Sequence, residues 1–250
     1  MKIAAYQAPL SATCTDEILA LIREQIDACE TLGVEILCCP EGALGGLADY
    51  SDRPKDFAIN VRAGELDAKL ARLGSEKVAT ILGFTEIDDN ANLYNSAVVY
   101  YKGSVVGIYR KLHPAINRSV YQAGVEMPVF TINGLTFGIV ICNDSNFQAP
   151  AQVMAAKGAK AIFIPTNNGL PPGKAGPELV AKVRDVDLAM ALKHGVYVIR
   201  ADVVGTAKGL VSHGSSGIIG SDGTILQVAG PAPELLVAEC YIRHDSIPLF

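Results

Sequence analysis

Three residues with chemically useful side chains each follow an apolar segment that is typical of a β-strand: Glu41 carries a carboxyl group, Lys111 an amine and Cys142 a thiol. In open α/β proteins, ligands bind where the carboxyl ends of the strands meet. Side chains that meet there would supply a nucleophile, a proton carrier and a cation to one pocket. The sequence therefore predicts a catalytic site built from Glu41, Lys111 and Cys142.

A cysteine nucleophile needs a base for its proton, donors for the oxyanion that its attack creates, and an acid for the leaving group. Glu41 is the candidate base, because a carboxyl group at the end of an apolar strand can accept and return protons. Lys111 is the candidate to offset the thiolate and polarise a substrate carbonyl. The backbone N–H of Asn143 would be a second oxyanion donor if a helical turn begins there.

Histidine is the usual base of a cysteine nucleophile, so a Cys-His hydrolase is an alternative. The four histidines are His113, His194, His213 and His244. His194 ends a predicted helix and His244 lies near the end of the chain, whereas His113 and His213 could line the pocket. The sequence context favours Glu41 over any of them. Taken singly, each candidate could also be a solvated charge at a strand end.

Composition narrows the class of protein. The 250 residues are 50% hydrophobic, which predicts one domain over residues 1–250. A net charge of −5 without a Lys/Arg-rich patch argues against a nucleic-acid partner. No apolar run approaches the roughly 20 residues of a membrane span, and no secretion signal precedes the first strand. The six cysteines form no C-x-x-C pair, so we expect reduced thiols and a cytoplasmic location.

The elements that must position the site alternate between helix and strand patterns. Helices are predicted over Thr15–Leu32, with Thr15 as its cap, and over Glu65–Leu73, about Pro150–Lys157 and Glu178–His194. Single strands are predicted over Ile3–Gln7, Val34–Cys39, Val78–Phe84, Ala161–Ile164, Val196–Arg200 and Leu235–Tyr241.

Three hairpins are predicted where a turn signal joins two apolar runs. They pair Ser96–Tyr101 with Ser104–Tyr109, Val129–Ile132 with Thr136–Ile141, and Ile218–Ile219 with Ile225–Val228. Hairpins mixed with strand–helix units indicate two packed sheets with helices outside, an α/β fold. The irregular segment Thr166–Pro177 follows a strand and could cover the pocket.

Three segments, Pro40–Gly42, Tyr109–His113 and Ile141–Asp144, resemble in order and spacing the signatures of the nitrilase (carbon–nitrogen hydrolase) superfamily. The similarity covers essentially the whole chain. It implies a four-layer α-β-β-α sandwich of the nitrilase type and commonly a homodimer. It also implies that no metal or organic cofactor takes part.

The resemblance implies a role for each site residue. Cys142 would attack the amide carbon, and Glu41 would pass the thiol proton to the departing ammonia. Lys111 and the Asn143 amide would hold the oxyanion, and a water activated by Glu41 would hydrolyse the thioester.

Two positions bear on the substrate. Many members of the superfamily carry a second glutamate eight residues after the lysine, where this chain has Ser119. A serine can hydrogen-bond a substrate but supplies no charge. The resemblance associates Asp at position 144 with amides rather than nitriles. Ser145 and Asn146 replace arginines that grip a substrate carboxylate in enzymes acting on N-carbamoyl-D-amino acids, so such substrates are disfavoured unless Arg118 or another cation substitutes.

The sequence thus predicts a hydrolase of a small linear amide or carbamoyl compound that works through a thioester and releases ammonia. Tyr50, Asn167 and Asn168 are further candidate contacts of the substrate. A true nitrilase is one alternative. A catalytically impaired homologue that binds a ligand without turnover is another.

Overall fold

The computed structural model describes residues 1–10 and 15–241 of the chain. Cys14, His244 and the side chain of Thr15, the predicted helix cap, lie outside the described part. In chain order the helices and strands are β1 (Lys2–Pro9), α1 (Thr15–Leu32), β2 (Val34–Cys38), β3 (Ile59–Asn60), α2 (Glu65–Leu70), β4 (Ala79–Ile87), β5 (Leu93–Tyr101), β6 (Ser104–Arg110), β7 (Val129–Ile132), β8 (Leu135–Ile139), α3 (Gln148–Ala156), β9 (Ala161–Pro165), α4 (Pro177–His194), β10 (Tyr197–Ala201), β11 (Val203–Ala207), β12 (Leu210–His213), β13 (Gly217–Ile219), β14 (Ile225–Val228) and β15 (Glu234–Glu239).

The described strands form two sheets. The larger sheet has the order β12-β11-β1-β2-β4-β5-β6, with β15 also paired to β1 and β3 to β4. The smaller sheet has the order β14-β13-β10-β9-β8-β7. Its central strands β8, β9 and β10 are parallel, as are β1, β2 and β4 of the larger sheet. Parallel strands end at the same edge, so residues that follow them are brought together.

Alternate residues of the larger sheet divide between two cores. Ile3 of β1 packs in the core that includes the smaller sheet, whereas Ala4 packs in the core that includes α1. The adjacent cysteines divide in the same way, with Cys38 in the first core and Cys39 in the second. This confirms the expectation that neighbouring side chains of a strand face opposite ways.

Helices cover the outer faces of both sheets. The apolar residues predicted at helical spacing in α1 are all buried in its core: Ile18, Leu19, Ile22, Ile26 and Cys29. Gly33, with φ +71°, takes the left-handed conformation that ends this helix. Met154 of α3 and Met190 of α4 pack in the core with the smaller sheet. The layers therefore run helix, sheet, sheet, helix, as the four-layer prediction stated.

The structure differs from the predicted elements in a few places. The hairpin β11–β12 was not predicted, although Lys208-Gly209 at its turn has positive φ at both residues, the same signal as Lys102-Gly103. The second helix ends at Leu70 and continues as a 3₁₀ turn, Ala71–Leu73. Within residues 1–10 and 15–241, none of the helices has the length and apolar character needed to span a membrane.

Candidate active site

A cavity of about 220 Å³ lies where strands of both sheets end. Glu41 follows β2 and Lys111 follows β6 in the larger sheet, and Cys142 follows β8 in the smaller one. All three side chains line this cavity. The structure therefore brings together the thiol, the carboxylate and the amine that the sequence singled out.

Glu41 and Lys111 form a buried ion pair. Their side chains are 2% and 4% exposed, and Lys111 Nζ donates to Glu41 Oε1 over 2.6 Å. Asn95 Nδ2 donates to the same oxygen over 2.7 Å, and the Asn167 N–H donates to Oε2 over 3.0 Å. Burial alone would lower the pKa of Lys111, but the charge of Glu41 and its hydrogen bond outweigh this effect and the pKa is raised. Lys111 is therefore an ammonium at neutral pH.

A glycine lets the Glu41 segment pack against the neighbouring strand. Gly83 of β4 donates its N–H to the Pro40 carbonyl over 3.2 Å. A Cβ at position 83 would lie 2.6 Å from Glu41 Cα and from Gly42 N, closer than van der Waals contact allows. The absence of a side chain at Gly83 thus sets the position of the Glu41 backbone.

Cys142 opens a tight turn after β8. Its φ is +44°, a left-handed conformation that costs about 1–2 kcal/mol in a residue with a side chain. A 3₁₀ turn, Cys142–Asn146, follows at once. Burial and, after it, the Glu41 charge raise the pKa of the Cys142 thiol to about 12, although the charges of Lys111 and Arg200 act to lower it. The resting sulfur is therefore a protonated thiol, and attack requires that its proton be taken away.

Asp144 holds the two strand ends of the site together. Its fully buried carboxylate accepts hydrogen bonds from the Ile141 N–H over 3.1 Å and from the His113 N–H over 2.7 Å. The Tyr109 hydroxyl donates to it over 2.7 Å. One side chain thus ties the segment before Cys142 to the segment around Lys111. The sequence had indicated Asp144 only as a marker of substrate class.

The Asn143 backbone N–H, in the turn that Cys142 opens, is the candidate second oxyanion donor. It donates to no backbone acceptor in the described part of the chain, as expected for the first turn of a helical segment. The Asn143 side chain is held by its own bonds, since Nδ2 donates to the His113 carbonyl over 3.1 Å and Oδ1 accepts from Asn146.

Asn168 approaches the thiol, and a buried network holds it there. Its Oδ1 lies 3.9 Å from the Cys142 sulfur, the limit for a hydrogen bond to sulfur. Its backbone N–H and Nδ2 donate to the two carboxylate oxygens of Asp202 over 2.9 and 3.0 Å. Ser215 donates to Asp202 over 2.6 Å. Both asparagines of the Thr166–Pro177 segment, Asn167 and Asn168, line the cavity, so this segment forms part of its wall.

Ser119 contacts another side chain instead of the cavity. Its hydroxyl donates to the Asp49 carboxylate, with both oxygens at 2.9 Å, and the Val120 N–H donates to Asp49 Oδ1 over 2.8 Å. Asp49 and Tyr50 line the cavity, whereas Ser119 is not among its lining residues. Ser119 has no carboxylate of its own, but Asp49, from a different segment of the chain, places one beside it.

Sequence reasoning missed several residues of the site. Arg200 at the end of β10 lines the cavity while 1% exposed, and its guanidinium bonds Asp187, Thr166 and Ser145. The strand-end rule that selected Glu41 would have found it. Asn95 is an amide within the largely apolar strand β5, so the sequence did contain a signal for it. No local feature of the sequence points to Asp49 or Asp202.

No histidine in the described residues lines this cavity. The ring of His113 stacks on Phe147 with centroids 3.7 Å apart, and its Nδ1 lies 3.0 Å from Asp144. His213 lines a different, smaller cavity. The geometry therefore favours Glu41 over histidine as the base.

The fold and cavity define a class of protein, an α/β sandwich enzyme with a thiol beside a buried carboxylate–ammonium pair. The sequence model of the family described as "Carbon-nitrogen hydrolase" matches residues 2–243. The chain belongs to the carbon–nitrogen hydrolase family and is a hydrolase of carbon–nitrogen bonds.

Two relatives are similar to the chain in sequence, and a solved structure is similar to it in fold. The chain is 28% identical to a nitrilase of Pyrococcus abyssi over 81% of its own length and 74% of the relative's. It is 25% identical to an N-carbamoylputrescine amidase of Solanum tuberosum over 92% and 80%. An amidase of the nitrilase superfamily from Nesterenkonia AN1 superposes with a TM-score of 0.81 at 23% identity, over 95% of this chain and 89% of that one. This last likeness shows the fold.

Proposed function

We propose that the chain hydrolyses a small linear amide or carbamoyl compound through a thioester on Cys142 and releases ammonia. The observation that carries the proposal is the Cys142 thiol in one cavity with the buried Glu41–Lys111 pair. The cavity of about 220 Å³ suits a small molecule. We expect no cofactor, a cytoplasmic location and a homodimer or higher homo-oligomer.

The reaction begins with a proton transfer. Glu41 accepts the thiol proton while the sulfur attacks the carbonyl carbon, which forms a C–S bond and an oxyanion. Lys111 Nζ and the Asn143 N–H stabilise that oxyanion. Glu41 then donates the proton to the nitrogen, the C–N bond breaks and ammonia leaves a thioester. The raised thiol pKa supports this order, because a neutral thiol needs a base at the moment of attack.

Water completes the cycle. Glu41 takes a proton from a water molecule whose oxygen attacks the thioester carbon. The C–S bond breaks, the sulfur regains the proton, and the carboxylic acid leaves. The sum is one amide and one water converted to one acid and one ammonia. Glu41 acts alternately as base and acid in these steps. Its short hydrogen bonds with Lys111 and Asn95 keep the carboxylate in position for both roles.

The test measures ammonia and the covalent intermediate together. We expect wild type to release ammonia from a panel of amides and carbamoyl compounds, and to show an acyl adduct on Cys142 by intact mass. Cys142→Ala should lose at least about 1,000-fold in rate and show no adduct while keeping the same thermal transition. Cys29→Ala, a buried cysteine in α1, is the matched control and should keep its activity. Full activity of Cys142→Ala would refute the assignment.

A nitrilase is the second candidate, since one relative is named for that activity. Matched pairs of amide and nitrile with the same side chain separate the two. Faster release of ammonia from the nitriles would replace the amidase proposal. If no compound of the panel is turned over and none leaves an adduct on Cys142, the chain is better explained as a homologue that binds a ligand without catalysis.

A further inference from the structure

The charges that line the cavity do not all cancel. Glu41 pairs with Lys111 and Arg200 with Asp187. Two more charged side chains line the cavity, Asp49 and Lys182, and neither has an ion-pair partner among the described residues. Lys182 is exposed to solvent, whereas Asp49 is half-buried. A half-buried carboxylate without a counter-ion favours a ligand that brings one.

Asp49 is held in a defined position. The Ser119 hydroxyl and the Val120 N–H donate to it over 2.9 and 2.8 Å. A carboxylate has about four acceptor positions, so these two donors leave it able to accept further hydrogen bonds. An ammonium group offers three N–H donors and the opposite charge. The fixed geometry means that a bound cation would meet an already oriented acceptor.

An aromatic ring stands beside this carboxylate. Tyr50 follows Asp49 in the 3₁₀ turn Ala48–Tyr50, is 44% exposed and also lines the cavity. Burial raises the pKa of Tyr50, and the neighbouring charge of Asp49 raises it further. Tyr50 is thus the sequence neighbour of Asp49 at the same cavity, and its ring is open to solvent. A carboxylate next to an aromatic face is a favourable environment for an alkylammonium ion.

The rest of the wall suits an aliphatic spacer. Leu47, Ile116, Leu179 and Val183 contribute apolar side chains to the cavity. Asp49 accepts hydrogen bonds from Ser119 and Val120, whereas Glu41 accepts from Lys111, Asn95 and Asn167, so the two carboxylates belong to different parts of the cavity wall. A substrate that fits has a reactive amide, a short methylene chain and a cationic end.

We propose that Asp49 and Tyr50 form a subsite for a positively charged amino group, so that the enzyme selects amides whose far end is an ammonium. This inference rests on the proposed hydrolysis at Cys142. Asp49 is the specificity-determining residue, and Ser119 is the positioning residue that orients its carboxylate.

The experiment compares substrates that differ only in the charge of one end. In γ-aminobutyramide an ammonium occupies the place of the terminal methyl of pentanamide, and δ-aminovaleramide pairs with hexanamide in the same way. Wild type should show a kcat/KM at least about 10-fold higher for the cationic member of at least one pair. Asp49→Asn should lose about 10- to 100-fold on that cationic amide and less than about threefold on its neutral partner.

Two further variants test the assignment of roles. Ser119→Ala should raise KM for the cationic amide by about 3- to 10-fold and leave the neutral amide unchanged, a selectivity that general loss of structure would not produce. Asp52→Asn is the matched control, since Asp52 is exposed, lies three positions from Asp49 and does not line the cavity. It should leave both substrates unchanged.

Binding gives a readout that does not need turnover. Calorimetry on the Cys142→Ala protein should show tighter binding of the cationic amide than of its neutral partner, and the Asp49→Asn change should remove that preference. Equal binding and turnover within every pair, or an equal loss on both members in Asp49→Asn, would overturn the subsite. Absence of ammonia from every amide together with a retained binding preference would instead overturn the hydrolase and keep the subsite.

Discussion

At the scale of single residues, the site depends on how the Glu41 carboxylate acts on its neighbours. Glu41 accepts hydrogen bonds from Lys111 and Asn95, and its negative charge raises the pKa of the Cys142 thiol. Burial and the Glu41 charge together keep the sulfur protonated at rest, and the same charge makes Glu41 the candidate acceptor for that proton. The placement of this carboxylate thus has two results: it raises the pKa of the thiol, and it puts a base beside the thiol proton.

Glu41→Gln should separate these two results. Without the carboxylate charge, the pKa of Cys142 should fall from about 12, because Glu41 no longer adds to the effect of burial while the cations Lys111 and Arg200 still lower the pKa. Hydrolysis should fall about 100- to 10,000-fold despite the larger thiolate fraction, since the base is gone. The thiolate absorbance of each protein against its Cys142→Ala counterpart, followed over pH, measures the shift. Glu17→Gln on the surface of α1 should change neither quantity.

If the thiol titrates at the same pH in Glu41→Gln as in wild type, Glu41 does not act on the sulfur. An unchanged hydrolysis rate would exclude it as the base.

At the scale of elements, Asp144 joins β6 to β8. Its carboxylate accepts from Tyr109 in β6, from His113 just beyond it and from Ile141 just before Cys142. The turn at Cys142 has a positive φ, a strained conformation that persists only where its surroundings hold it. The bonds to Asp144 are part of those surroundings.

Asp144→Ala should lower the free energy of unfolding by about 2–4 kcal/mol, because buried N–H and O–H donors lose their acceptor. Tyr109→Phe removes one of these bonds and should cost only about 1 kcal/mol. Urea denaturation followed by circular dichroism measures both. Activity should fall more in Asp144→Ala than in Tyr109→Phe. Equal stability of Asp144→Ala and wild type would show that the turn is held by other contacts.

At the scale of the whole molecule, Arg200 connects the layers. Its guanidinium donates to Asp187 of the outer helix α4 over 2.7 and 2.5 Å, and to Thr166 after β9 and Ser145 of the Cys142 turn over 2.7 and 3.0 Å. Ser145 in turn donates to the Cys142 carbonyl over 2.8 Å. A single buried cation thus links an outer helix to the Cys142 turn through the smaller sheet.

Asp187→Ala should destabilise the protein by about 3–5 kcal/mol, because it leaves a buried positive charge without its counter-ion. The double variant Asp187→Leu/Arg200→Met replaces the pair by apolar side chains and should recover most of that loss. Activity should stay low in the double variant, since Thr166 and Ser145 lose their donor. Thermal unfolding and ammonia release are the two measurements. A double variant less stable than Asp187→Ala would contradict the account.

Much of the fold follows from local pattern. The spacing of apolar residues in Thr15–Leu32 and the turn signals at Lys102-Gly103 and Asn133-Gly134 are short-range, so α1 and two hairpins could be read directly from the chain. The strand β3 has two residues, too few for any period to show. The pairing of β1 with β15, more than 200 positions away, has no local sign at all.

The sequence by itself determined which residues are the candidates for the chemistry, because a thiol, a carboxyl and an amine each follow an apolar strand and strand ends meet at one edge. Only the tertiary structure decided what surrounds them: that Asp49 lies beside the uncharged Ser119, that Asp202 and Ser215 hold Asn168 near the thiol, and that the buried Arg200 donates to the Cys142 turn. These contacts join residues 34 to 70 positions apart. They depend on how loops and layers pack, and no periodicity within a single segment encodes that.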